Sequence, residues 1–176
     1  MRPPQPLLMR NDYRASVEID VRPASANDVD FIVSAQEAPH AREFLHPADR
    51  ETVLAALDQP DRLAFIVTEA GERAGMILFG YDSAVPWLVE LRRVAIVTPG
   101  RGIGTAALRW SIEWCFNAVK AHRLWLEVVE SNLRARAVYE RVGFIYEGAY
   151  RDGFRNADGS FQHLCIYGML ASDQRQ

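Results

Sequence analysis

From residue 94 to 105 the chain reads VAIVTPGRGIGT, so Gly100, Gly102, Gly104 and the cation Arg101 fall where an apolar alternating stretch gives way to a helical period. That arrangement suits phosphate. The first backbone N–H groups of a helix have no intrahelical partner, the helix dipole favours an anion there, and glycine lets the main chain approach a ligand closely. Arg101 adds a charge-assisted donor. The alternative is a turn that only packs the helix on its strand. Two other phosphate loops are disfavoured by spacing: GxxxxGK[ST] is absent, and the glycines do not open a first βαβ unit with an acidic residue about 20 positions on. Cys115 and Cys165, inside a helical and a strand pattern, make neither a disulfide framework nor a zinc set. Trp87, Trp110, Trp114 and Trp125 are scattered over different elements, which favours packing over an aromatic cage for a cation.

The elements that must hold this turn follow from periodicity. Val17, Ile19 and Val21 alternate with polar residues as a strand does, and Ser25 or Asn27 then offers an N-cap to a helix containing Val29, Ile32 and Val33. A second helix is expected over residues 48–57, strands over 63–68 and 74–81 joined through Gly71 as a hairpin, and another strand over 87–97. After the glycine turn, Ala107, Leu108, Ile112, Cys115 and Phe116 recur near the helical period. Residues 124–129 then read as a short strand, 133–141 as a helix closed by Gly143, and 144–150 and 161–170 as the last strands. The order is that of a mixed α/β fold with a central sheet flanked by helices. Residues 1–16, rich in proline and without period, read as a flexible N-terminal arm, leaving 17–172 as one domain.

Bulk properties exclude several classes of function. With 176 residues, 49% apolar and 24% charged, the chain can bury one core without staples. A net charge of -3 and a pI near 5.8 give no reason to expect a nucleic-acid partner. No window is long and apolar enough for a membrane span or signal peptide, and the cysteine usage fits a reducing compartment, so a cytoplasmic protein is expected.

The turn resembles the pyrophosphate-binding segment of the GNAT N-acetyltransferases, and ELRRVAIVTPGRGIGTAALRW at 90–110 is similar to a bacterial branch of that superfamily. A second match follows downstream, where Asn132, Ala135, Tyr139, Gly143 and Phe144 resemble the family's N-x-x-A, Tyr, Gly-Phe pattern. One departure is Pro99, at a place where the family often has Arg or Gln, and proline has no N–H to give. The resemblance implies a mostly antiparallel sheet of about seven strands with about four helices, splayed between the fourth and fifth strands. It also implies acetyl-CoA as cosubstrate, no metal, and an enzyme that moves acetyl to a primary amine of a small molecule or peptide by direct attack in a ternary complex. Relatives that acylate protein N-termini, or that carry other acyl groups, and a non-catalytic acyl-CoA sensor remain as alternatives.

Site roles follow from the same resemblance. The pyrophosphate falls to Gly100, Arg101, Gly102, Ile103, Gly104 and Thr105, and the pantetheine arm to the main chain of Val94, Ala95 and Ile96, which pairs with it as with an extra strand. A main-chain N–H there polarises the thioester carbonyl. Asn132 bonds the cofactor or only caps the helix after it. Tyr139 lies near the cofactor sulfur, as a general acid for the leaving thiolate or as an anchor. The attacking amine must lose a proton. Glu90, expected on the strand face of Val94 and Ile96, is the first candidate base and Glu127 the second, with pairing to Arg92 or Arg93 as the structural alternative. His40, His46, His122 and His163 receive no role, although Phe44 and segment 38–47 are expected to line the acceptor side. The apolar strand at 161–170, with the pairing habit of relatives, leads to a homodimer.

Overall fold

The computed structural model describes residues 17–175, so the arm expected over 1–16 lies outside the described residues. The strands are β1 (Asp20–Pro23), β2 (Arg62–Glu69), β3 (Glu72–Tyr81), β4 (Leu88–Ile96), β5 (Arg123–Val129), β6 (Ile145–Arg155) and β7 (Phe161–Leu170). They form one seven-stranded sheet in the order β1-β2-β3-β4-β5-β7-β6. Only the β4–β5 pairing is parallel; its neighbours are all antiparallel. Helices α1 (Val29–Glu37), α2 (Pro39–Arg42), α3 (Arg50–Leu57), α4 (Ile103–Glu113) and α5 (Leu133–Arg141) cover the two faces. The one-turn α2 is an addition to the helices read from periodicity, because four residues are too few to display a period.

Two cores result. On one face Val89, Leu91, Leu124 and Leu126 pack with Ile103, Ala107, Trp110 and Trp114 from α4 and the π-helical turn that prolongs it. The rings of Phe65, Phe79, Trp110 and Trp114 lie 4.7 to 6.0 Å apart there, so these tryptophans are core and form no cation cage. On the other face Val29, Ile32 and Val53 from α1 and α3 cover Ile66, Met76 and Ala95. Strand β7 is paired with β5 on one side and β6 on the other, so it has no free edge to offer a second copy of the chain. The sheet edge on that side is β6, which exposes Ile145, Tyr146 and Tyr150.

The feature that sets the site is a gap in the sheet. β4 and β5 pair only at Leu88↔Arg123, Val89↔Leu124 and Glu90↔Trp125, and beyond those residues they part. The cause lies in β4, where the ladder to β3 jumps from Phe79↔Leu91 to Leu78↔Arg93 and leaves Arg92 as a β-bulge. A bulge adds a residue to one strand and bends it.

Candidate active site

Register decides which main-chain groups face the gap. Val97 N–H donates to the Ala74 carbonyl at 2.9 Å, so by the alternation of an antiparallel ladder Ala95 and Arg93 bond to β3. The N–H and C=O groups of Val94 and Ile96 therefore point into the gap. Ala95, grouped with them on sequence grounds, turns its groups to β3 instead.

Beside this edge stands the glycine turn. Gly102 caps α4 with φ +85° and Gly100 has φ +93°, a left-handed backbone that side chains resist. The first intrahelical bond there runs from Ala106 N–H to the Gly102 carbonyl at 3.0 Å, so the N–H groups of Ile103, Gly104 and Thr105 project from the helix end. The Ile103 side chain is buried in the core, which leaves its main chain for the turn. Arg101 reaches sideways to Glu69, with Nη2 and Oε1 2.9 Å apart. The pair is largely exposed on the arginine side and worth only about 0–1 kcal/mol, so an incoming anion can compete for that guanidinium. This end of α4 fits the pyrophosphate of an acyl-CoA.

Across the gap, Asn132 caps α5 by accepting from Ala135 N–H at 3.1 Å. Two turns on, Tyr139 packs edge-on to Phe144 and tilted to Tyr167, with centroids 5.9 and 6.0 Å away. Burial pushes its phenol up to about 12, so it is a proton donor throughout the neutral range. Both cysteine thiols are buried, Cys115 pushed up to about 12 by desolvation, which leaves no poised thiolate nucleophile. Among the described residues there is no cluster of His, Cys, Asp or Glu that could hold a metal, and no helix long and apolar enough to cross a membrane.

Glu90 requires a correction. An uninterrupted alternation would place it on the face of Val94 and Ile96, but the bulge at Arg92 shifts the phase by one residue. Val89, Leu91, Val94 and Ile96 all join the α4 core, while Glu90 lies on the opposite face over Gly80. A Cβ at Gly80 would stand 2.9 Å from Glu90 Oε2, so glycine there makes room for the carboxylate. Arg92 Nε lies 3.5 Å from the same oxygen. Glu127, opposite across the gap, is raised from its ordinary value first by desolvation and then by the Glu90 charge, with Arg92 opposing. The two carboxylates thus belong to one electrostatic unit, on the face away from α4 and Tyr139.

The structure also brings together side chains that sequence reasoning left unassigned. The His46 ring stacks on Phe154 of β6, with centroids 4.7 Å apart, so the α2–α3 loop meets the β6–β7 hairpin. A cavity of about 440 Å³ opens between His46 and the hairpin tip, residues 155–159. Arg93 donates to Gln36 Oε1 of α1 and, at 3.0 Å, to the His46 carbonyl, which fixes the loop to β4. His40 Nε2 lies 2.7 Å from the Ile96 carbonyl. His122 is exposed before β5, and His163 Nδ1 accepts from Asp152 N–H at 3.3 Å. The bulge did have a sequence signal: apolar residues fall at 89 and 91 and then at 94 and 96, with the doublet Arg92-Arg93 marking the change of phase.

This geometry agrees with what the chain resembles. The sequence profile of the acetyltransferase (GNAT) family matches residues 29–144. The chain belongs to the GNAT acetyltransferase family. It is 30% identical over 116 residues to the spermidine N(1)-acetyltransferase of Escherichia coli (strain K12), a match that covers 62% of this chain and 60% of that protein. It is 38% identical over 71 residues to YdaF of Bacillus subtilis (strain 168), named as a candidate ribosomal N-acetyltransferase, covering 40% of this chain and 38% of that one. The chain thus spans less than two thirds of either relative's length. Among solved structures, a chimera built on the spermidine N-acetyltransferase of Vibrio cholerae superposes with a TM-score of 0.80 at 18% identity, covering 90% of this chain and 99% of that one. A GNAT-family acetyltransferase from Streptococcus pneumoniae gives 0.72 at 22% identity, covering 87% and 99%. At these identities the likeness is one of fold.

Proposed function

We propose that this GNAT protein transfers acetyl from acetyl-CoA to a primary amine of a small molecule or peptide, by direct attack within a ternary complex. The observation that carries the reading is the parted β4–β5 edge, with gap-facing groups on Val94 and Ile96, set beside the glycine-opened end of α4. When bound, acetyl-CoA supplies a thioester whose carbonyl carbon takes the amine and whose sulfur leaves. The N–H groups at 103–105 with Arg101 hold the pyrophosphate. Val94 N–H polarises the acyl oxygen, and Ile96 pairs with the arm as a neighbouring strand does. Glu90, coupled to Glu127, takes the amine proton on one face of the sheet, while the Tyr139 hydroxyl serves the departing sulfur from the other. Acid and base on opposite faces of a gap suit an acyl group that must be approached from one side and vacated on the other. Asn132 sets the start of α5 and so the reach of Tyr139.

The test is release of free CoA thiol over a panel of polyamines, amino acids, aminoglycosides and peptides. Turnover with at least one amine is expected, whereas CoA binding without turnover on any of them would make the protein a sensor. We further propose a homodimer, now through the exposed apolar residues of the β6 edge, in a cytoplasmic protein built as one domain over residues 17–172. Light scattering that finds only a 19.9 kDa species at micromolar concentration would remove the dimer.

A further inference from the structure

The contact between His40 and Ile96 is not used by the chemistry described so far, yet it sits on the strand edge that the chemistry needs. His40 lies in α2, a single turn opened by Pro39 and held down by the buried Ala41. Its Nε2 is 2.7 Å from the Ile96 carbonyl. A carbonyl oxygen only accepts, so Nε2 carries the proton and donates. The register of β4 with β3 turns that carbonyl into the gap. An imidazole N–H from the acceptor side of the molecule therefore holds a gap-facing acceptor of the splayed edge, in the position of a donor from an added strand.

We propose that His40 is a latch on the cofactor gap: it stands in for an amide N–H of the pantetheine arm at the Ile96 carbonyl and must yield that acceptor when an acyl-CoA enters the gap. The inference rests on the acyl-CoA reading above. It links the two substrates physically, because the residue that lets go of β4 belongs to the segment 38–47 that walls the acceptor side. Seating the arm then releases α2 at His40 and leaves the bond from Arg93 of β4 to the His46 carbonyl in place. The latch costs affinity, since only the fraction of molecules with the Ile96 carbonyl free can accept the arm.

The test compares binding of two probes, CoA and the armless adenosine 3′-phosphate 5′-diphosphate, to the wild-type chain, His40→Ala and His40→Phe, by calorimetry and stopped-flow. His40→Ala removes the ring and its donor; His40→Phe keeps a ring and removes only the donor. Both variants are expected to bind CoA about three- to tenfold more tightly, the scale of one net hydrogen bond, through faster association. Affinity for the armless probe should be unchanged, since that ligand touches only the glycine turn. CoA affinity that is unchanged or weaker in both variants overturns the proposal, as does equal tightening of the armless probe. Failure of the wild-type chain to bind either probe would sink the acyl-CoA reading itself, while wild-type binding with indifferent variants sinks only the role of His40.

Discussion

The donor side and the acceptor side of the gap are built in different ways. In the proposed site, recognition around β4, the glycine turn and α4 is by main chain: gap-facing amides, a helix end and two glycines in left-handed conformation. On the face of Glu90 and Glu127 it is by side chains from α1, the α2–α3 loop, β4, β5 and the β6–β7 hairpin, joined by contacts such as His46 on Phe154 and Arg93 on Gln36. A cofactor that never varies can be met by fixed backbone geometry. Side chains that converge from distant segments can change one at a time, which is the arrangement a variable acceptor calls for.

The sharpest way to break the contrast is at Gly102. Gly102→Val forces a β-branched residue to φ +85° and should lower CoA affinity at least about 100-fold while circular dichroism stays native. Unchanged affinity would remove the turn from the cofactor site. Gly104→Ala is the companion, because its Cβ would meet only the Ile96 side chain at 3.6 Å, an ordinary contact. Any affinity lost there reports the ligand rather than the fold.

Tyr139→Phe keeps the ring that packs on Phe144 and deletes the hydroxyl, so kcat at saturating acetyl-CoA should fall on the order of 100-fold with CoA affinity little changed. A near-native kcat would reduce the residue to an anchor. The phenol donates only below its pKa, and with that value pushed up to about 12 the wild-type rate should show no loss near pH 10 attributable to this group.

The acceptor side should respond more gently and in a different quantity. Glu90 acts coupled to Glu127, and the Glu127 pKa, raised by desolvation and then by the Glu90 charge, places the acid limb of the pair's pH–rate profile above that of an isolated carboxylate. Glu90→Gln removes the like charge, lowers the Glu127 pKa and should shift that limb to lower pH, alongside whatever rate is lost with Glu90 itself. A shift to higher pH would contradict the coupling. Smallest of all, Phe154→Ala loses a stack worth about 0.5–1.5 kcal/mol and should raise the acceptor KM about two- to tenfold, with CoA affinity unmoved.

The same division explains what could be read from the sequence. The bounds of α5 and β7, 133–141 and 161–170, follow from local period, and the glycine turn announces itself through residue types that few other tasks require. Asn132 as a cap is equally local. The face of Glu90 does not follow from period 2, which assumes an uninterrupted ladder, whereas this ladder changes phase at Arg92-Arg93. His40 and His46 were beyond such reasoning: their partners Ile96 and Phe154 are far along the chain, and a lone histidine in a short irregular stretch carries no period to read. The apolar run of β7 was legible as a strand but not as an interior one, since burial between β5 and β6 and burial against a second subunit leave the same pattern.

The three residue pairs that join β4 to β5 have a further consequence, for folding. Counted by hydrogen bonds, the sheet is two antiparallel units, β1-β2-β3-β4 and β5-β7-β6, each contiguous in sequence, with α4 in the connection between them. Every other ladder of the sheet has at least four residue pairs against the seam's three, so the seam should be the first part of the sheet to open. Amide exchange at residues 88–90 and 123–125 that is slower than in the β2–β3 hairpin would contradict that order. With exchange in the expected order, the loop between the π-helical turn and β5 becomes the natural place to cut the chain into two fragments that reassemble.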